Sequence, residues 1–485
     1  RKNRTGETSE MPFLSDAEIV INALENYYRE SISRKKPVIN QGPLETLISD
    51  LDLSTDIQEG RLTGERLAQF LATYLESTTR LVHPAYLAHQ AGTSHYAGAL
   101  ASLIDGFTNN PMAIYEMGPG AASIEWYLIN WLLEKVGWLP QPLGMPDSPD
   151  QVYGGGVLTH GGSLANLTAL LAARSRMAPP AWQEGNPRDL VLLAPAESHY
   201  SIARAAGIMG LGRNAVYPMA VNEKGVVIPE KLPEVYAGLK NKGKRVFAVV
   251  ANACSTAAGL YDPIREIGEF CNAHALWFHV DGAHGASALL SQRHKHLLNG
   301  VELADSLIWD AHKLMRTPSL CTAVLVKDFR TIDRAFQQEA SYLFHEKEQP
   351  GFDFIHRTVE CTKAGLGLKW FFVLAALGEQ GLETHVDDKF ELARQAYDYI
   401  ESQPEFECAA TPQSNILCFR LTGSDQLQLD VRDTLIARGE FYLSTTAFGN
   451  QRYLRIVFNH PHTCLDDIKQ LIQKIRDIVD EKKSD

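Results

Sequence analysis

The sequence predicts an α/β fold with a mostly parallel central sheet, and three observations predict it. From about residue 80 to about residue 370, short β-rich apolar runs alternate with stretches of helical periodicity. The runs are apolar throughout, as in strands covered on both faces. Several stop at a polar or glycine-containing junction, the edge where open α/β sheets bind their ligands.

The elements follow in order. Residues 1 to about 80 hold two helical patterns, Asp16 to Ser31 and Thr63 to Thr79, joined by a polar stretch around Asp52 to Gly60. Such helices cannot bury their own apolar faces, so this arm is expected to wrap another surface. Strands are expected at Gly156–Thr159, Leu190–Ala194, Ala215–Met219, Val246–Ala251, Leu276–Val280, Leu307–Trp309 and Thr322–Val326. Helical patterns lie between them, among them Ser163–Arg176, Tyr200–Gly210 and Pro263–His274. From about residue 371 a long helical pattern runs through Glu401. Strands near Ile416–Leu421 and Tyr453–Phe458 and a terminal helix from Leu465 complete the chain. The division is a helical arm over 1–80, a large α/β domain over 81–370 and a small α+β domain over 371–485.

The chain has 485 residues, 45% apolar and 21% charged, enough for a large core. Its net charge of −12 speaks against a nucleic-acid or membrane-surface partner, because neutralising phosphates needs clustered Lys and Arg. The seven cysteines show no short metal or redox spacing, which fits reduced thiols and a cytoplasmic setting. No signal-peptide pattern opens the sequence, and apolar windows such as Trp370–Leu377 are too short to span a bilayer. The absent initiator Met reads as a trimmed chain or an excised domain.

Four strand-to-loop junctions carry unusual chemistry. Thr159-His160-Gly161-Gly162-Ser163-Leu164-Ala165-Asn166 places a glycine pair before a helix, where free N–H groups can hold a phosphate. A plain strand-to-helix turn reads the same way. Glu197-Ser198-His199-Tyr200-Ser201 offers an imidazole that is either a loop residue or a ring laid flat on an aromatic ligand. His279-Val280-Asp281-Gly282-Ala283-His284 delivers a carboxylate from a buried strand, which is costly unless it meets a cation. A metal site from His279, Asp281 and His284 is the alternative. Strand alternation sends the first two to one side with His284 past the turn, and no further ligand completes the set, so no metal is expected. Asp310-Ala311-His312-Lys313 ends a strand in a lysine among apolar residues. Desolvation of such a lysine frees a neutral amine for a carbonyl, whereas a lysine snorkelling to the surface is the plainer alternative.

Together the four fit one ligand. Pyridoxal phosphate needs an amine for its aldehyde, an anion for its ring nitrogen, a helix start for its phosphate and a flat group against its ring. At this point the chain resembles the group II pyridoxal-phosphate-dependent amino-acid decarboxylases of fold-type I. That family includes glutamate, aromatic amino-acid, cysteine-sulfinate and diaminobutyrate decarboxylases. The resemblance rests on His83-Pro84, Tyr115-Glu116-Met117-Gly118-Pro119, Gly161-Gly162-Ser163, His199, His279-Val280-Asp281-Gly282-Ala283-His284-Gly285 and Asp310-Ala311-His312-Lys313. The closing Leu454-Arg455-Ile456-Val457-Phe458-Asn459-His460-Pro461 matches in pattern.

The resemblance implies that Lys313 takes the cofactor's aldehyde as a Schiff base and that Asp281 pairs with the ring nitrogen. His199 would stack on one ring face with Ala283 against the other. Gly162 and Ser163 would hold the phosphate from one side, with His312 and Asp310 near the lysine end. Either Ser255 or Thr256 would line the site. Tyr342, in Ser341-Tyr342-Leu343-Phe344-His345, matches a loop tyrosine that protonates the substrate carbon. In the family that loop closes over the neighbouring subunit's site and the N-terminal helices clasp the partner, which implies a homodimer. Arg455 is a candidate for a substrate carboxylate, with an inter-element salt bridge as the alternative.

Two departures stand out. Relatives often carry Ala where Gly282 stands and an aromatic residue where His284 stands. The segment Lys363–Lys369 lacks the Arg and Asp that many relatives have there. The expected reaction is α-decarboxylation, with L-2,4-diaminobutyrate the first substrate, then glutamate, aspartate or cysteine sulfinate. The rivals are another reaction on the same fold, a carbon–carbon lyase or aminotransferase, and a catalytically silent relative with a binding role.

Overall fold

The computed structural model describes residues 13–144, 148, 150–336 and 351–484. It contains a seven-stranded sheet made by β1 (Gly155–Thr159), β2 (Leu190–Pro195), β3 (Val216–Met219), β4 (Arg245–Asn252), β5 (Trp277–Asp281), β6 (Ser306–Asp310) and β7 (Thr322–Val326). All seven predicted strands are present to within two residues at either end. Their spatial order is β1-β7-β6-β5-β4-β2-β3. The pairs from β3 to β6 are parallel, and β7 alone runs against its neighbours β1 and β6. The reason is chain length. The link from Asp310 to Thr322 contains only turns, and parallel neighbours need a longer crossover, usually through a helix.

Continuous apolar sequence becomes continuous burial. Every residue of β1, β2, β5, β6 and β7 is buried. β1 and β7 approach so closely that a Cβ on Gly156 would sit 2.2 Å from the Val324 carbonyl oxygen, which requires glycine there. The helix Gly162–Met177 presents Ala165, Ala169, Ala172 and Ala173 to the core, small residues that favour helix and allow close packing.

The chain divides into two compact units. The larger comprises His89–Asp425 and Thr445–Pro461 and contains the seven-stranded sheet. A second sheet is built from β8 (Phe406–Cys408), β9 (Ile416–Leu421), β10 (Ser444–Phe448) and β11 (Gln451–Val457), in the order β10-β11-β9-β8. The long pattern ending at Glu401 is realised as Gly367–Glu401, with a break at Gly378, whose φ of 67° is open to glycine without strain.

The other unit comprises Arg1–Ala88, Gln426–Ser444 and His462–Asp485. Its first helix, Phe13–Ile32, is tied down by buried Arg80, which donates to the Ser31 hydroxyl at 2.9 Å and lies over the Tyr27 ring. The stretch around Asp52–Gly60, read from sequence as a polar joint, contains a short helix at Leu53–Glu59. Its Ile57 is 83% exposed, so no buried apolar stripe marked it.

Candidate active site

The carboxyl ends of β1, β2, β4, β5 and β6 meet at one sheet edge, and a cavity of about 370 Å³ opens there. Each strand contributes through the loop that follows it. Gly162 and Ser163 come after β1, His199 after β2, Thr256 after β4, and Ala283 after β5, while Asp281 ends β5 itself. Asp310, His312 and Lys313 enter from the end of β6. Nine of the residues singled out from the sequence therefore share one wall.

Lys313 Nζ lies 3.0 Å from Asp310 Oδ2. The other oxygen of Asp310 accepts from the Thr322 hydroxyl at 2.5 Å, so this nearly inaccessible carboxylate is held on both sides. His312 Nδ1 faces the Cys321 carbonyl at 3.0 Å, and its Nε2 is 3.6 Å from Asp310. Besides the desolvation expected from the sequence, a carboxylate thus stands at hydrogen-bond distance from the lysine amine. Behind the lysine, a Cβ on Gly92 would collide with the Lys313 carbonyl oxygen at 2.2 Å, so the segment carrying Gln90 presses directly on the lysine's backbone.

Asp281 Oδ2 accepts from Asn166 Nδ2 at 2.9 Å, and Oδ1 accepts from the Ala283 N–H at 3.2 Å. His199 Nδ1 is 2.8 Å from the Ser201 hydroxyl. Burial lowers the His199 pKa, although Asp281 acts in the opposite direction. His284 is pushed down to about 3 by burial and by the Lys313 charge, and burial holds the Cys254 thiol up at about 11. Both residues therefore face the cavity uncharged at neutral pH.

The remaining candidates separate. Ser255 turns its hydroxyl back into its own loop, accepting from the Leu260 N–H at 3.3 Å, while Thr256 reaches the cavity. Arg455 is absent from the cavity wall. Its Nε donates to the Thr256 carbonyl at 2.9 Å, so it supports the loop that carries Thr256. Tyr342 lies outside the described residues. Among the described residues no group of three His, Cys, Asp or Glu side chains is placed to hold a metal. His279 is instead engaged by Asn166 and Ser306.

Several wall residues had no assigned role from the sequence: Gln90, Asn166, Asn252, Cys254, His284 and Leu320. Asn166 carried one signal, a lone amide in the first turns of an Ala/Leu-rich helix. Gln90 carried none. A second cavity of about 410 Å³ shares His160 and Leu320 with the first and is lined by Asp105 and Lys369. Burial raises the Asp105 pKa and lowers that of Lys369.

The wall suits a polar, anionic, aldehyde-bearing ligand. Gln90 Nε2, Asn252 Nδ2 and His284 Nδ1 are buried and have no hydrogen-bond partner among the described residues. The helix beginning at Gly162 has no capping side chain from Gly161, so its first-turn N–H groups are available to an anion.

Comparison with known proteins agrees. Residues 53–422 match the model of the pyridoxal-dependent decarboxylase conserved domain. The chain belongs to the pyridoxal-dependent decarboxylase family. This decarboxylase is 32% identical over 387 residues to the acidic amino acid decarboxylase GADL1 of Mus musculus, covering 78% of this chain and 67% of the relative. It is 28% identical over 445 residues to L-2,4-diaminobutyrate decarboxylase of Acinetobacter baumannii, covering 86% and 84%. The crystal structure of mouse CSAD superposes with a TM-score of 0.87 at 26% identity, covering 97% of this chain and 99% of that one. The fold is accordingly fold-type I, the cofactor is pyridoxal phosphate, and the reaction is decarboxylation of an amino acid.

Proposed function

We propose that this decarboxylase removes the α-carboxylate of L-2,4-diaminobutyrate, and that Lys313, Asp281 and His199 are its working residues. The observation that carries the assignment of residues is their convergence on one cavity wall, with Asp310 within 3.0 Å of the Lys313 amine. Pyridoxal phosphate, when bound, supplies an electron sink for the pair released as carbon dioxide departs. Lys313 is the amine for its aldehyde, and Asp281 the anion for its ring nitrogen. His199 and Ala283 are the two sides between which the ring would lie. Gly162 and Ser163 offer helix-start donors to the phosphate, with His312 and Thr256 completing the enclosure.

The chain's own groups then manage charge and water. Asp310 offers Oδ2 as acceptor for the proton on Lys313 Nζ when that amine must be free. Arg455, through the Thr256 carbonyl, keeps the Thr256 loop against the site. Tyr342 is the donor proposed to return a proton to the substrate carbon, a contribution of about 10²–10⁴ in rate for a positioned general acid. Closing its loop would exclude water.

Support for the substrate is the diaminobutyrate-decarboxylating relative and the Asp105 carboxylate in the adjoining cavity, which would suit a second ammonium. Lys369 in the same cavity favours the second reading, an acidic substrate such as glutamate, aspartate or cysteine sulfinate. We also propose a cytoplasmic homodimer. Tyr96, Leu100, Leu103, Ile104 and Phe107 form one exposed apolar stripe on the helix Tyr96–Thr108, as a buried subunit contact requires. No described helix is long and apolar enough to cross a membrane.

The test is an amino-acid panel with carbon dioxide, amine and keto acid measured together. Carbon dioxide and 1,3-diaminopropane from diaminobutyrate support the proposal. Keto acid without carbon dioxide would move the reaction to aminotransfer, and turnover of the acidic substrates alone would select the second reading.

A further inference from the structure

The groups behind Asp281 form an unbroken line of hydrogen bonds whose direction is fixed from the Asp281 end. At one end the Trp277 indole can only donate, and it does so to the Ser306 hydroxyl at 2.9 Å. With the indole on one lone pair, the Ser306 hydroxyl can donate its own proton to His279 Nδ1, 2.8 Å away, the direction that the Asp281 end imposes. A neutral His279 then carries its proton on Nε2, which lies 2.8 Å from Asn166 Oδ1. Burial holds the His279 pKa at about 4, consistent with the neutral ring. The opposite end fixes this direction. A carboxylate can only accept, so Asn166 must point Nδ2 at Asp281 Oδ2 (2.9 Å), and its oxygen is left for His279.

The same Nδ2 group has a second proton. It lies 2.9 Å from Ser201 Oγ, whose own proton is directed to His199 Nδ1 at 2.8 Å. The Ser201 backbone N–H also points at that nitrogen, at 3.3 Å. His199 Nδ1 is therefore an acceptor, and the ring's proton resides on Nε2. Asn166 itself is almost fully buried, and all of its amide hydrogen-bonding capacity toward these partners is used within the relay.

We infer that Asn166 is a positioning residue whose single amide orients the Asp281 carboxylate, fixes the tautomer of His279 and, through Ser201, reinforces that of His199. The link to the cofactor rests on the reading that Asp281 meets the ring nitrogen and His199 the ring face. Under that reading one side chain aligns both. The two Asp281 oxygens are each held by one N–H, from Asn166 and from Ala283, so the carboxylate plane is set before any ligand arrives.

The test is ¹⁵N NMR of the full chain labelled at histidine nitrogens, with cofactor stripped and with cofactor bound, near neutral pH. Single His→Gln variants assign His199 and His279. The inference predicts both rings neutral with the proton on Nε2. In Asn166→Ala, His279 shows mixed tautomers and the His199 preference weakens to what the Ser201 backbone N–H alone sustains, while circular dichroism shows a folded chain. Asn166→Asp, nearly the same size, keeps the acceptor facing His279 Nε2 and removes the donor toward Asp281 and Ser201, so His279 should keep its Nε2 proton while the His199 preference weakens. A proton on Nδ1 of either ring, a charged His279, or unchanged tautomers in Asn166→Ala would overturn it. If Asn166→Ala fails to fold, the wild-type tautomers alone still decide. Release of the bound cofactor should quicken by about tenfold or more in Asn166→Ala, the scale of one hydrogen bond to a charged group. Tautomers as assigned with unaltered release would uphold the relay and remove Asp281 from the cofactor.

Discussion

The amine of Lys313 and the carboxylate of Asp310 stand 3.0 Å apart, three residues from each other at the end of one buried strand. Asp310 is in turn locked by the Thr322 hydroxyl, so the sheet fixes the carboxylate that Lys313 meets from the turn after β6. Asp310→Asn keeps the shape but removes the charge. We expect turnover to fall by about 10- to 100-fold, the worth of one charge-assisted contact, with the circular dichroism spectrum unchanged. Steady-state kinetics on the purified variant checks it.

A second buried pair should control stability instead. Lys363 Nζ and Glu125 Oε2 are 2.5 Å apart with both side chains inaccessible, and Glu125 also accepts from the Leu158 N–H. Lys363→Met leaves a buried carboxylate without its cation and should cost about 3–5 kcal/mol in urea denaturation. Adding Glu125→Gln removes the stranded charge while keeping an acceptor for Leu158, and should recover most of that loss.

Acid should weaken the fold from near pH 6.5 downward. His279 and His284 are fully buried, with pKa values held at about 4 and about 3 against an ordinary 6.5. As pH falls through that window the unfolded chain takes protons that the folded rings refuse, so stability falls. Each ring contributes at most about 1.4 kcal/mol per pH unit. Asp262 acts oppositely, since burial raises it from 3.8 to about 6 and the folded state binds its proton first. Below about pH 6 it offsets one of the two histidines, leaving a net loss. The urea midpoint followed across this range should decline, and His284→Phe should flatten the decline. A midpoint that rises as pH drops would contradict this.

The subunit proposal has its own check. Leu100 and Leu103 are exposed members of the apolar stripe on Tyr96–Thr108. Changing both to Asp should convert a dimer to a monomer in light scattering, with turnover lost at the same time.

Much of this was legible in the sequence, for physical reasons that also explain what was not. Strands buried on both faces leave an unmistakable apolar run, so β1, β2 and β4 to β7 and the polar residues ending them were legible, while β3 is a partly exposed edge strand. Lys313, Asp281 and His199 stood out because charged or polar groups at the end of such runs need a reason. Choices made by loop path left no such trace: Ser255 and Thr256 are neighbours, yet only Thr256 reaches the cavity. Arg455 looked like a carboxylate ligand by chemistry alone, whereas sheet register delivers it to the Thr256 carbonyl. The Asn166 partners His279 and Asp281 lie more than a hundred residues further along the chain, and only packing of the helix on the sheet joins them.

The central claim is that the Lys313 amine is the one that captures the cofactor. Borohydride reduction of the cofactor-loaded protein, followed by peptide mass spectrometry, tests it most directly. The account predicts a reduced phosphopyridoxyl group on the peptide containing Lys313, and none on any peptide of a Lys313→Ala variant. The group found on Lys363, Lys369 or another lysine of the wild-type chain would contradict it.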